Sequence, residues 1–201
     1  MSRRWMLPTA LALAAVGSTA AAQSAQKISI QVSALGASLS GSEFEGWGTG
    51  SGFEGQVRYN PSAFSIGGGF QQTQHALEGF DDKVNLGGVF VEPRYVIATK
   101  SNSVAPYVSL RLSVLKESGT IRDGTDELTV SASGLTFNGG GGVLFRLSNA
   151  VNLDAGITWG KTNFGTATVK LNGTEVDIPG LEPGSGTNAV FRIGVAIGIG
   201  G

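Results

Sequence analysis

His75 is the only histidine in the chain, so it is the one side chain whose type suits general acid–base work near neutral pH. It stands in Gln74-His75-Ala76-Leu77, with no partner motif around it, and its place predicts an exposed histidine at a loop edge. Gly139 to Gly142 has the composition of a phosphate cradle. No Lys-Ser/Thr follows and no helix begins there, so the run reads as small residues within a strand. Asp123, Asp126 and Glu127 bring three carboxylates close together, the oxygen-rich set that hard cations take. The usual calcium-loop spacing is missing, and the segment reads as a solvated acidic loop. Cysteine is absent, which removes disulfides and thiolate metal sites from consideration. No cofactor is implied.

What remains is electrostatic. Charged residues make up only 14% of the chain and the formal net charge is −1, which gives no case for nucleic-acid binding. Most acids fall in stretches that read as long loops. Glu54, Glu92 and Asp154 do not, and neither do Arg58, Arg94, Arg111, Arg146 and Arg192. Each of these eight lies within a strand pattern, on the face opposite the apolar series. Shared parity predicts that they point into one interior and pair there, around Glu92, Arg94, Arg111, Asp154 and Arg192, because buried charges need partners to offset desolvation.

The elements that would position them have period two. Ile28, Ile30 and Val32 alternate with Ser29, Gln31 and Ser33. Phe53, Val57 and Tyr59 alternate with Glu54, Gln56 and Arg58. Similar series run through Phe64–Phe70, Val89–Ile97, Val108–Val114, Phe137–Leu147, Val151–Trp159 and Phe191–Ile199. Gly87-Gly88 predicts a bulge, since the apolar phase shifts there. The count is eight strands, most long enough to cross a bilayer when tilted. Connections alternate: 41–52, 75–82, 116–127 and 161–187 are long, whereas 60–63, 99–103 and 148–150 are short. That asymmetry favours a transmembrane barrel, in which charge on the lipid face is costly and the apolar faces therefore point outward. Two alternatives stand beside it. A soluble lipocalin-like barrel would invert every face. A ten-stranded barrel would enlist the segment around Asn172-Gly173, a hairpin signal read here as a short external hairpin.

Arg3 and Arg4, the apolar run from Trp5 to Val16 and Ala20-Ala21-Ala22 have the form of a secretory leader. This sets expected boundaries of 1–22 for a signal peptide and 23–201 for the barrel. Ser2-Arg3-Arg4-Trp5-Met6-Leu7 is also similar to a twin-arginine leader. That route carries folded cargo, which suits a membrane barrel badly.

The segments from Gly88 to Tyr95, Ala105 to Leu112 and Gly139 to Leu147, in this order and spacing, resemble the outer membrane protein β-barrel family. It includes the transmembrane domain of outer membrane protein A and its small relatives. The resemblance spans essentially the whole mature chain. It implies an eight-stranded antiparallel up-and-down barrel in the cell outer membrane, with both termini in the periplasm and long loops at the surface. It also implies contact with outer-membrane lipid, and with lipopolysaccharide or a surface partner through those loops, and a monomer. Family members usually end on an aromatic residue, whereas this chain continues from Ile199 to Gly200-Gly201. No peptidoglycan-binding segment follows, so a cell-wall tether is not carried over. Some small outer-membrane barrels modify lipids through a His–Ser pair, but nothing around His75 matches that motif. The expectation is a non-enzymatic structural or loop-presenting barrel, with a lipid-modifying enzyme as the alternative.

Overall fold

A computed structural model describes residues 26–199, apart from 42–43, 80–82, 124–125, 177 and 179–183. The expected leader lies outside the described residues, as do the loop acids Glu43, Asp81, Asp82, Asp177 and Glu182. The strands are β1 (Ile28–Ser40), β2 (Gly50–Tyr59), β3 (Phe64–Ala76), β4 (Lys83–Val96), β5 (Val104–Asp123), β6 (Asp126–Arg146), β7 (Val151–Phe164), β8 (Thr168–Leu171), β9 (Thr174–Val176) and β10 (Ser185–Ile199). Eight of them, β1 to β7 and β10, pair antiparallel in a closed ring in which β10 joins β7 to β1.

The register fixes the barrel's shape. Ile30 pairs with Val57, and the chain of partners continues through Gly68, Val91, Leu112, Phe137, Lys161 and Thr187. It returns to β1 at Ser40, ten residues beyond its start. A stagger of this size in eight strands tilts them by roughly 40° and leaves an interior that side chains can fill.

The two faces separate by polarity. Ile193 is 70% exposed, Trp159 62% and Val32 61%, all on the outer wall, whereas Glu54, Glu92 and Asp154 are fully buried inside. The lipocalin-like alternative required the reverse and does not hold. Aromatic residues on the outer wall form two groups. Tyr59, Phe64, Tyr95 and Phe145 lie at the short-turn end, while Phe53, Phe70, Phe137, Trp159 and Phe191 lie toward the long-loop end. Two such bands are the interfacial girdles of a membrane barrel.

Three sequence expectations need correction. The stretch 116–127 is not a loop. β5 and β6 continue to pair up to Asp123↔Asp126, well beyond the rim. The bulge expected at Gly87-Gly88 is absent, since the β3–β4 register runs unbroken from Phe64↔Tyr95 to Ala76↔Lys83. The apolar phase shifts because the interior itself turns apolar there: Val84 and Leu86 point inward and are buried. Leu86 joins Phe44, Leu115, Ala132 and Phe164 in a cluster that closes the loop end. Finally, His75 is not an exposed loop residue but lies fully buried within β3.

The Asn172-Gly173 hairpin forms as β8 and β9, with both turn residues at positive φ, 50° and 82°. At four and three residues, these arms do not enter the barrel wall. β8 pairs instead with the protruding part of β6, from Leu128↔Leu171 to Ser131↔Thr168. A small sheet, β5–β6–β8–β9, therefore stands above the loop rim.

Candidate functional site

The alternation that turns Val57 outward turns Glu54, Gln56 and Arg58 inward, and the same rule places Glu92 and Arg94, Arg111, Asp154 and Arg192 inside. Seven of the eight expected charges meet there. Glu92 is the hub. Its carboxylate takes Arg58 and Arg94 at 2.9 Å each on Oε1, and Arg111 at 2.6 Å and Arg192 at 2.9 Å on Oε2. Glu54 receives Arg111 at 2.7 Å and Arg192 at 3.4 Å. Asp154 holds Arg94 at 2.9 Å. Arg146 stands apart from this hub, half-buried at the turn-side end of β6 and in register with Asn152.

Neutral groups complete the cluster. Gln31 donates to Asp154 at 2.9 Å and Gln56 to Glu54 at 3.3 Å, while Arg58 donates to Gln56 at 2.8 Å and Arg111 to Gln71 at 2.9 Å. Ring faces cover two of the guanidinium groups: Arg94 lies 3.8 Å from the Tyr107 centroid and Arg111 lies 3.9 Å from that of Phe90.

Tyr107 is the participant that sequence reasoning misses. Its hydroxyl donates to Asp154 at 2.6 Å and accepts from Arg192 at 3.1 Å. To reach them it crosses two strands, over Gly142 of β6 and Gly156 of β7, where an added Cβ would strike its phenol oxygen. The glycine run with the composition of a phosphate loop in fact clears a path for a tyrosine. The available signal is parity, since Tyr107 shares its face with Ser109 and Arg111.

The cluster is sealed on both sides. Toward the turns, Val96, Ala105, Tyr107 and Leu144 pack together. Toward the loops, Phe44 drops into the barrel mouth, 2% exposed, and meets Phe164 and Trp47 edge-on at 5.9 and 5.2 Å. A void of about 20 Å³ lies on either side of the charges. Each has room for about one water, far short of a channel.

His75 belongs to the loop-end closure. Its Nδ1 lies 3.0 Å from the carbonyl of Gly48, its Nε2 lies 3.0 Å from the Thr73 hydroxyl, and Trp47 covers the ring at 5.5 Å. The imidazole thus ties the segment after β1 to β3, and its hydroxyl neighbour is a threonine.

At the external tip, Asn172 clamps the β8–β9 turn onto β6. It donates to the Asp126 carboxylate at 3.0 Å and accepts from the Glu127 amide at 2.8 Å. Of the three carboxylates considered for a cation, that of Asp126 is engaged in this contact.

Known proteins share this fold. Among solved structures, neisserial surface protein A superposes with a TM-score of 0.62 at 18% identity, covering 86% of this chain and 97% of that one. The outer membrane protein OprG from Pseudomonas aeruginosa gives 0.50 at 12% identity, covering 88% and 97%. Ail, the attachment invasion locus protein of Yersinia pestis, gives 0.47 at 18%, covering 85% and 98%. No curated protein sequence matches the chain. The model of the outer membrane protein beta-barrel domain matches residues 9–197. With that match spanning nearly the whole chain, the protein belongs to the outer membrane protein β-barrel family and resides in the bacterial outer membrane.

Proposed function

We propose that this barrel is a monomeric, non-enzymatic scaffold of the outer membrane. It holds the β5–β6–β8–β9 sheet and its neighbouring loops at the cell surface for a partner, with both termini in the periplasm. The observation that carries this reading is the interior. Four arginines and three carboxylates interlock at the centre, apolar clusters close both ends, and the voids beside the charges hold about 20 Å³ each. Such an interior offers no path for a solute and no cleft where a substrate would meet a catalytic group. Its ion cluster fills the lumen, where losing any one partner would leave a buried charge uncompensated. The parts above the rim are left to do the recognising, and apolar Ile121, Leu171, Val176 and Ile178 are exposed there.

Two measurements on the detergent-extracted protein test this. The folded chain should migrate differently before and after heating, and planar bilayers containing it should stay electrically silent. Recovery as a soluble periplasmic protein, or steady single-channel conductance, would overturn the reading.

A further inference from the structure

The strand charges divide by residue type. The paired arginines lie inside, whereas Lys83, Lys116 and Lys161 are exposed on the outer wall, on the loop side of β4, β5 and β7. The acids of the barrel wall, Glu54, Glu92, Glu117 and Asp154, all face inward. On the outer face of the wall these lysines share their surface with no carboxylate among the described residues, the exposed acids Glu45, Glu78 and Asp126 lying in the loops and the small sheet above. Lys161 makes no ion pair among the described residues. Lysine suits such a place, since its apolar stem lies along the wall while the ammonium reaches the aqueous boundary.

Directly below Lys161 the wall is hollow. A groove of about 1170 Å³ runs between Val108, Phe137, Ile157 and Trp159, floored by Gly139 and Gly141. It is open to the side, so acyl chains lying along the wall can enter it. At its loop-side edge the lining becomes hydroxyl and amide: Ser40, Asn163 and Thr187. Lys116 stands on the far side of β6. It pairs with Ser133, whereas Lys161 pairs with Phe137. Two strand spacings and four residues of register separate the two lysines, which puts their backbones roughly 15 Å apart.

We infer that this face binds one molecule of the lipid A portion of lipopolysaccharide: acyl chains in the groove, the sugar against Ser40, Asn163 and Thr187, and its two phosphates at Lys161 and Lys116. Two separated cations match a disaccharide with a phosphate at each end better than a glycerophospholipid with one. The inference rests on the proposed orientation, which places the loop rim in the outer leaflet.

Native mass spectrometry of the full-length barrel in detergent tests it, with hexa-acylated, bis-phosphorylated lipid A and phosphatidylglycerol as probes. The wild type should retain one lipid A with about tenfold preference over phosphatidylglycerol. Lys161→Gln should lose about fivefold in lipid A binding, the scale of one basic residue near an anionic membrane surface. Gly139→Leu should weaken it further by filling the groove, since a Cβ at 139 meets nothing closer than Leu110 Cδ2 at 3.6 Å. Gly55→Leu, on the opposite wall where an added Cβ has open space, should leave binding unchanged. Heat-modifiable migration of each variant confirms that it folds. Equal retention of both lipids, or indifference to both Lys161→Gln and Gly139→Leu, overturns the inference and leaves ordinary annular lipid. Orientation is read separately, by labelling the Lys170→Cys variant on intact cells with an impermeant maleimide, so its failure is distinguishable from failure of the site.

Discussion

Arg192 on the last strand reaches Glu92 on the fourth, with Nη1 2.9 Å from Oε2. In the ring of eight, β10 and β4 stand diametrically opposite, so this ion pair spans the barrel and ties its walls together through the centre. Glu92 receives three further arginines there, and no other residue in the cluster has so many charged partners.

Glu92→Gln should therefore destabilise the barrel by about 3–5 kcal/mol, because four guanidinium groups lose their shared anion in a buried site. Urea unfolding in lipid vesicles, followed by tryptophan fluorescence, reads this. Arg146→Ala at the turn-side end should cost less than Glu92→Gln in the same assay. A loss below about 1 kcal/mol for Glu92→Gln would remove Glu92 from its central place.

On the outer wall the cost should come from the opposite change. Leu110 is 51% exposed on β5, one residue from the inward Arg111. Leu110→Arg should cost about 2–4 kcal/mol in vesicles, since it places on the lipid face the same charge that its neighbour carries inside among carboxylates. Equal stability of this variant and the wild type would mean that the wall is not in hydrocarbon.

How far these features are legible in the sequence depends on period two. Alternation in β2 and β10 is enough to place Glu54 and Arg192 in one interior, and the Asn172-Gly173 turn announces itself. Alternation says nothing of height along the barrel, however. That is why parity groups Arg146 with charges that sit deeper in the lumen, and why inward Val84 and Leu86 look like a bulge. Length is hidden for a related reason. Past Glu117 the described residues 118–121 and 126–131 are half-buried or exposed on both faces of the pair, so the stretch up to Glu127 shows no apolar series although it is paired strand. The roles of Tyr107 and His75 escape sequence reasoning because their partners, Asp154 and the Gly48 carbonyl, come from distant segments.

His75→Ala should free the loop end without changing chemistry. It removes the contacts to Gly48 and Thr73 and uncovers Trp47, a loss of about 1–3 kcal/mol for the buried polar groups left behind. Limited proteolysis should show faster cleavage between residues 41 and 49, while the acyl and phosphate composition of lipid A in the producing cells stays the same. Altered lipid A would instead place His75 in a catalytic role.

Asn172→Ala should loosen only the external sheet. The two hydrogen bonds to Asp126 and Glu127 disappear, each worth about 1 kcal/mol. Hydrogen exchange should quicken across Val169–Val176 and leave the amides of β1 and β10 protected. Faster exchange throughout the barrel would show that the small sheet props up the wall.

The central cluster also bears on how the barrel is made. Its charges are spread along the chain, from Glu54 on β2 to Arg192 on β10, so no single hairpin carries a complete set. Until the last strand docks, Glu92 and Glu54 lack the guanidinium of Arg192, and Tyr107 lacks one of its two partners. The last cross-barrel ion pairs and closure of the ring are thus one event. A chain halted short of its final strand would lack the ties from Arg192 across the lumen to Glu92 and Glu54, a state that favours either completion or withdrawal from the bilayer over persistence as a partial barrel.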